Sequence, residues 1–201
     1  MKYAGSLCMY LAVIVVFLLA WVPHGWCSDL EEAHEAYRNG HWKQAAELYK
    51  PLAEQGFDQA QNNLGELYSR GAGVKKDYDR AMDLFYSAAE QGNAYAQTNL
   101  GLHYSQGLGV RQNFPRAYRW FEKGARQDNF LAQNALGLFY LHGRNMEKDY
   151  VQAYKWFVLS AEKGFDQAIQ NRDSTARYLS PEDKERASDM AEKFKRQLKN
   201  G

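Results

Sequence analysis

The sequence predicts an all-α fold: a solenoid of helix-turn-helix repeats that ends in a C-terminal capping helix. Three consecutive blocks of thirty-six residues, 58–93, 94–129 and 130–165, align with one another without a gap. A fixed period of about 20 to 50 residues is typical of stacked repeats. Within each block, apolar residues recur at helical spacing on both sides of a glycine-containing break. The sequence therefore predicts an array of helix pairs.

Residues 1–27 have the layout of a secretory signal peptide. Lys2 precedes an apolar run, 7–22, whose sixteen residues include no charged side chain. Such a run is shorter than the roughly 20 residues that a membrane-spanning helix needs. Gly25-Trp26-Cys27 offers a small-x-small cleavage motif, so cleavage after Cys27 would leave Ser28 as the first mature residue. We therefore predict that the protein is periplasmic or secreted.

Two alternatives to cleavage stay open. One alternative is that the signal sequence stays uncleaved as a membrane anchor, in which Trp21 and Trp26 would lie at the bilayer interface. The protein would then be a regulator tethered to the inner membrane. Cys27 follows the apolar run as a lipid-bearing cysteine would, but bulky Trp26 precedes it and His24 stands where leucine is usual. Membrane contact is thus expected only if the signal sequence is retained.

The mature chain that cleavage would produce is neutral and has no thiol. Loss of Lys2 leaves 24 basic and 24 acidic side chains, and both cysteines, Cys8 and Cys27, are removed. A nucleic-acid-binding protein is usually more basic, and neither a disulfide nor a thiolate metal site can form. We predict no nucleic-acid partner. The charge is nevertheless uneven, because residues 29–58 hold seven acidic and three basic side chains whereas residues 193–199 are basic.

Residues 28–57 form a shortened first unit. The residues that keep the register of a second helix are Ala45, Tyr49, Ala53 and Gly56. The connection before them is short, since Tyr37 to Ala45 spans eight residues where Tyr68 to Ala81 spans thirteen. This unit therefore lacks the glycine-containing insertion and resembles a plain tetratricopeptide motif.

The first helix of each full repeat is predicted to bury one stripe. Its members recur at offsets of four, one and three residues, which places them on a single face of an α-helix. A glycine within a helix costs about 1 kcal/mol relative to alanine, so its return in every repeat indicates a close crossing with the partner helix. The stripe consists of Ala60, Leu64, Gly65 and Tyr68, then Ala96, Leu100, Gly101 and Tyr104, then Ala132, Leu136, Gly137 and Tyr140.

A turn then leads to a second helix with a stripe of its own. The turn glycines suit left-handed C-caps, a backbone that Asn145 also tolerates, and the acidic or amide residues that follow suit N-caps. The C-cap glycines are Gly71, Gly107 and Gly143, and the N-caps are Asp77, Asn113 and Asp149. The second-helix stripe is Ala81, Phe85 and Ala89, then Ala117, Phe121 and Ala125, then Ala153, Phe157 and Ala161; the helices end at Gly92, Asp128 and Gly164.

Residues 166–201 are predicted to hold half a repeat and a capping helix. The segment 166–168 restarts a first helix, but Arg172-Asp173 replaces the Leu-Gly pair. Ser180 at the N-cap and Pro181 at the first position form a strong helix start. A solenoid needs such an end helix to cover its last repeat face. The apolar stripe of this helix is Ala187, Met190, Ala191, Phe194 and Leu198.

Together these motifs resemble the Sel1-like repeat family, a relative of the tetratricopeptide repeat. The resemblance rests on Ala60, Leu64-Gly65, Tyr68, Gly71, Gly73-Val74, Asp77-Tyr78, Ala81, Phe85, Ala88-Ala89 and Gly92, with their copies one and two periods later. It implies a right-handed αα-superhelix whose first helices line the concave side. It also implies a non-enzymatic, exported adaptor that binds a peptide or helix of a partner protein and needs no cofactor.

The same resemblance places the binding groove on the first helices. Amide side chains there would satisfy a peptide backbone, and Tyr95 is the candidate aromatic hot spot. Two questions stay open: whether Asn63 and Asn99 bind a ligand or bond neighbouring repeats, and whether the leucines bind or pack. The expected groove residues are Asn62, Asn63, Glu66, Arg70, Tyr95, Thr98, Asn99, Leu102, Gln106, Leu131, Asn134, Leu138 and Leu141.

The sequence predicts neither a catalytic nor a metal site. The histidines of the mature chain are His34, His41, His103 and His142, and none has metal-ligand spacing. His41 takes an N-cap position, and His142 ends a helix where a cation is favoured. The tryptophans Trp42, Trp120 and Trp156 are expected in the core. The alternative function is an envelope enzyme that acts on peptidoglycan or a β-lactam.

Overall fold

The computed structural model describes residues 25–144 and 146–200. The predicted signal peptide therefore lies, up to residue 24, outside the described residues. The described segments contain ten α-helices, a short 3-10 helix at Ala176–Tyr178 and no strand. None of these helices is both long enough and apolar enough to cross a bilayer. The helices are α1 Gly25–Arg38, α2 Trp42–Glu54, α3 Asp58–Arg70, α4 Tyr78–Glu90, α5 Ala94–Gln106, α6 Phe114–Ala125, α7 Phe130–His142, α8 Tyr150–Ala161, α9 Asp166–Thr175 and α10 Pro181–Asn200.

Helices that follow one another in the chain pack against one another. The contacts are most extensive within the pairs α3–α4, α5–α6 and α7–α8, and successive pairs are joined through α4–α5 and α6–α7. Each pair is thus one repeat, and the repeats stack in a row around a continuous core of buried alanine, leucine and aromatic side chains. The predicted all-α solenoid is confirmed.

The glycine in each first helix permits a close helix crossing. A Cβ atom placed on Gly101 would lie 2.5 Å from the Cε1 atom of Phe121, closer than real atoms approach. The equivalent distances are 2.8 Å between Gly65 and Phe85 and 2.4 Å between Gly137 and Phe157. The three phenylalanine rings are at most 1% exposed. The predicted reason for these glycines is therefore confirmed.

The turns between paired helices have the predicted caps. Gly71, Gly107 and Gly143 end the first helices with positive φ angles of 71°, 74° and 67°. The second glycine of the turn has a different role, because a Cβ on Gly73 would lie 2.3 Å from the backbone carbon of Trp42. This glycine lets the turn rest on the second helix of the preceding unit. Asn145, at the corresponding position of the third repeat, lies outside the described residues.

Side-chain caps begin the second helices as predicted. The backbone N–H of Arg80 donates to Asp77 Oδ1 at 3.0 Å, and Asn113 and Asp149 accept equivalent bonds at 2.9 Å. The helices end as expected, with Gly92, Asp128 and Gly164 in left-handed backbone; in the described residues, Asp128 alone among non-glycines has positive φ, at 59°. His41 precedes α2 but its side chain makes no cap bond.

The two ends of the array differ in how they are closed. Helix α10 covers α8, where Phe194 meets the ring of Trp156 at a centroid distance of 5.0 Å, and Asp183 N–H donates to the Ser180 cap at 3.1 Å. The predicted capping helix is confirmed. At the other end the core prediction for Trp42 was wrong, because this residue opens α2 at the edge of the array and is 37% exposed. Trp120 is half-buried, whereas Trp156 is buried as expected.

Candidate partner-binding surface

The predicted groove residues lie on the first helices of the three full repeats, α3, α5 and α7. On each helix the Ala-Leu-Gly-Tyr stripe faces the core, so the positions beside that stripe form the other side of the helix. We call the partly or fully exposed members of this set the first-helix surface. They are Asn63, Glu66, Arg70, Tyr95, Asn99, Leu102, Gln106, Leu131, Leu138 and Leu141.

Three of the predicted groove residues are buried between units. Asn62, Thr98 and Asn134 are 5%, 2% and 8% exposed. Asn62 Oδ1 accepts a hydrogen bond from Asn99 Nδ2 at 3.0 Å, and Asn134 Oδ1 accepts the corresponding bond from Asn171 at 2.9 Å. Thr98 donates to the backbone oxygen of Ala94 at 2.8 Å. These side chains have their hydrogen-bond partners within the array and offer little surface to a partner protein.

Asn63 and Asn99 are also bonded to the preceding units. Asn63 Nδ2 donates to the Tyr49 hydroxyl at 3.0 Å. The amide of Asn99 donates to Asn62 and, at 3.3 Å, to a Glu66 carboxylate oxygen. The structure thus shows the inter-repeat bonds that were one of their two expected roles. A partly exposed amide can still donate and accept further hydrogen bonds. Asn63 and Asn99 therefore remain able to contact a partner.

Glu66 is the centre of a polar network. Its carboxylate accepts a hydrogen bond from the Tyr37 hydroxyl at 2.7 Å and pairs with Arg70 at 3.5 Å. Burial, and then the nearby Glu66 charge, raise the pKa of Tyr37 above its ordinary value. The phenol therefore remains a proton donor, and this network joins the first unit to the first full repeat.

The second and third repeats present apolar side chains instead. Tyr95 is 50% exposed, and four leucines on α5 and α7 are half-buried. Leu102 and Leu138 stand at the position that Glu66 occupies in the first full repeat, and Leu131 is the counterpart of Tyr95. The first-helix surface therefore changes along the array, from a satisfied polar network to an apolar patch that consists of Tyr95, Leu102, Leu131, Leu138 and Leu141.

His103 is a core residue that sequence reasoning passed over. It is 3% exposed, its Nδ1 donates to the Leu108 carbonyl oxygen at 2.9 Å, and its Nε2 meets the Ser69 hydroxyl at 3.0 Å. Burial lowers its pKa, and the bond to Leu108 opposes that effect only in part. The signal was present in the sequence, because Leu67 and Phe139 occupy this position in the other repeats.

The described residues contain no group of three or more side chains arranged to hold a metal ion. Ser160 and Lys163 have the three-residue spacing of some nucleophilic hydrolases, but they do not meet. Ser160 is fully buried and donates to the Phe130 carbonyl oxygen at 2.7 Å, whereas Lys163 pairs with Asp128. This pair therefore gives no support to an enzymatic site.

The architecture defines a helical-repeat protein, and comparison with known proteins identifies the kind of repeat. The family model described as Sel1 repeat matches residues 58–93, 94–129 and 131–165, more than half of the chain. The chain therefore belongs to the Sel1 repeat family. Members of this family generally act as scaffolds for protein–protein interaction, without catalysis.

Several solved structures are similar to the chain, and two of them are Sel1-type repeat proteins with more than 30% identity. A Sel1 repeat protein from Oxalobacter formigenes shares 33% identity with a TM-score of 0.66, and the match covers 72% of this chain and 57% of that one. The protein c5321, a protective antigen present in uropathogenic Escherichia coli strains and displaying an SLR fold, shares 31% identity with a TM-score of 0.71, over 83% of this chain and 38% of that one. This chain therefore covers less than two thirds of the length of each of these two proteins. No curated protein matches the chain.

Proposed function

We propose that the chain is an exported scaffold that binds a peptide or helix of a partner protein on the first-helix surface. The observation that carries this proposal is the apolar patch of the second and third repeats. Tyr95 is half exposed, and the first repeat folds with a glutamate where Leu102 and Leu138 stand. Leu102 also packs against the core, but both leucines remain partly exposed, so a partner can cover the rest of their apolar surface.

The spacing of the patch suits a helical partner. Equivalent positions on adjacent packed helices lie about 10 Å apart, which matches the rise of about 10 Å over seven residues of an α-helix. Apolar side chains at positions i and i+7 of a partner helix would then meet Leu102 and Leu138. Arg70, Gln106 and the amides of Asn63 and Asn99 would form a polar rim around that contact.

Export is the second part of the proposal. Its support is the apolar run 7–22 behind Lys2, with a small-x-small motif that ends at Cys27. Mass spectrometry of the full chain produced in its own host tests it. A mature first residue at Ser28 is the expected result. A protein that retains Met1 or begins at another residue after complete processing would contradict the assigned cleavage.

Capture of partners by the tagged full chain tests the binding surface. The double variant L102E/L138E should lose a partner that the wild type retains, because two half-buried leucines of the apolar patch become charged. The control Q44E/S188E adds the same two charges at exposed positions on α2 and α10, and it should retain that partner. Retention by L102E/L138E, or equal loss from both variants, would overturn the assignment of the surface.

A further inference from the structure

Two equivalent depressions lie between consecutive second helices on another face of the array. The depression between α2 and α4 includes Lys50, Glu54, Tyr68, Arg80, Asp83, Leu84 and Ser87. The depression between α4 and α6 has a volume of about 430 Å³ and is lined by Tyr86, Tyr104, Arg116, Arg119, Trp120 and Lys123. We call the second one the basic-aromatic pocket. All six residues of the second have a counterpart in the first at a distance of thirty-six residues, namely Lys50, Tyr68, Arg80, Asp83, Leu84 and Ser87, which makes the two a matched pair.

The two depressions differ in charge. Two acidic residues, Glu54 and Asp83, accompany the two cations of the first, and its Arg80 also pairs with the Asp77 cap at 3.4 Å. The basic-aromatic pocket has three cations in its lining, and Glu90, the counterpart of Glu54, lies outside that lining. The cap beside Arg116 is the neutral Asn113 instead of an aspartate. Asp83 of the first depression is thus replaced by Arg119 in the second, and Ser87 by Lys123.

The three cations of the pocket have no acidic partner within the described part of the chain. Arg116, Arg119 and Lys123 are exposed, and none of them takes part in an ion pair there. The neighbouring acid on the same helix, Glu122, is already paired with Arg126 at 3.0 Å. The repeat therefore keeps a positive charge that its own residues do not neutralise.

Aromatic side chains hold two of these three cations in place. Lys123 lies over the ring of Trp120 at 4.3 Å, and Arg116 donates to the Tyr104 hydroxyl at 3.1 Å. Tyr104 and Tyr86 are joined by a hydrogen bond between their hydroxyls. Burial and this bond raise the pKa of Tyr86 to about 12. The Tyr86 phenol is therefore neutral at physiological pH and adds a hydrogen-bonding group without adding negative charge.

The cations form a row and do not converge on one point. Residues 116, 119 and 123 span seven positions of α6, a distance of about 10 Å along a helix. A single phosphate is much shorter than this row, whereas alternate side chains of an extended peptide lie about 7 Å apart. A row of this length therefore complements a chain of anions better than an isolated anion.

We propose that the basic-aromatic pocket binds an acidic peptide segment of a protein, one in which Asp or Glu residues alternate with apolar or aromatic ones. The carboxylates pair with Arg116, Arg119 and Lys123, and an intervening apolar side chain packs on Trp120. This site is separate from the apolar patch of the first-helix surface, so it gives the scaffold a second point of contact with different chemistry.

Fluorescence anisotropy with a labelled Glu-Tyr-Glu-Tyr-Glu peptide and the full chain tests the proposal. Binding should weaken as salt is added, because the contacts are exposed ion pairs. A peptide with Gln in place of each Glu should bind at least tenfold more weakly. Equal binding of the two peptides, or equal competition by inorganic phosphate at the same concentration, would overturn the assignment to an acidic peptide.

Two matched variants use the symmetry of the array. R119D/K123S gives two positions of the basic-aromatic pocket the residues of the first depression and should weaken binding about tenfold, the sum expected for two exposed charge contacts. D83R/L84W/S87K makes the reverse change at those two positions, also adds the tryptophan, and should create a second site, seen as a doubled binding stoichiometry. Thermal unfolding shows whether both variants fold. Unchanged binding by folded R119D/K123S would overturn the proposal, and L102E/L138E should bind the peptide as the wild type does.

Discussion

The crossing between paired helices and the first-helix surface lie one residue apart in the sequence but follow opposite rules. The crossing repeats without variation, with the pairs Gly65–Phe85, Gly101–Phe121 and Gly137–Phe157. The next residue of each first helix is on the surface and changes, as Glu66, Leu102 and Leu138. The difference indicates that residues repeated in every unit hold the array together, whereas residues that depart from the repeat at exposed positions are candidates for binding.

The largest effect should come from the crossing itself. Phe121→Ala removes a ring that is 1% exposed, and we expect a loss of about 4 kcal/mol in the free energy of unfolding. Tyr95→Ala is the matched change on the first-helix surface, where half of the side chain is exposed; it should cost about 0.5 kcal/mol or less. Urea unfolding measures both. Equal losses would contradict the division between the two regions.

Gly101→Ala should cost less, but more than an ordinary helix substitution. Alanine normally stabilises a helix relative to glycine by about 1 kcal/mol, yet its Cβ would lie 2.5 Å from Phe121. We expect a net loss of about 2 kcal/mol from overpacking. Adding Phe121→Leu should recover part of that loss if the clash is the cause. A stabilised single variant would show that the crossing is not close.

Lys163→Gln should raise the free energy of unfolding by about 1 kcal/mol. In the first two full repeats, Gln91 and Gln127 each donate to the glutamine of the preceding first helix at 2.8 Å. Lys163 occupies this position in the third repeat, and the Oε1 atom of Gln133 is buried without a partner. The substitution also removes the ion pair between Lys163 and Asp128, which is exposed and contributes little to stability. Lys193→Gln is the exposed control, and equal effects would refute this explanation.

A further effect depends on pH. Burial lowers the pKa of His103 in the folded protein, so the unfolded chain binds more protons and the free energy of unfolding should fall as the pH drops below about 6.5. His103→Leu, which copies Leu67 of the first repeat, should make stability depend less on pH. The pKa of His34 is lowered for the same main reason, so some dependence should persist. Chemical unfolding at pH 7.5, 6.0 and 5.0 measures it, and an unchanged slope in the variant would contradict the role of His103.

Much of the fold was predictable because the repeat multiplies each local signal by three. A single glycine such as Gly101 is ambiguous, whereas its return at one position in every unit points to a close crossing. The same holds for the cap at Asn113. Predictions failed or stayed open where a residue depends on the neighbouring unit. The sequence could not show that Asn99 reaches back to Asn62, nor that the edge of the array leaves Trp42 exposed.

The candidate surfaces were predictable only in part, for the same reason. The family resemblance pointed to the positions of Leu102 and Leu138, but it did not show that Thr98 is buried between units. The cations of the basic-aromatic pocket come from α6 and its tyrosines from α4 and α5, so only packing brings them together. Comparison of equivalent positions, such as Asp83 with Arg119, then distinguishes this pocket from its neighbour.

Separation of stability from partner binding tests the central claim most directly. The measurement is the free energy of unfolding of L102E/L138E together with its affinity for the partner that the wild-type chain captures. We expect a loss of about 2 kcal/mol in the free energy of unfolding, because both leucines are half-buried, and a loss of affinity of at least a hundredfold. Undiminished affinity in the folded variant would contradict a binding role for the first-helix surface, and failure of the variant to fold would show that these leucines belong to the core.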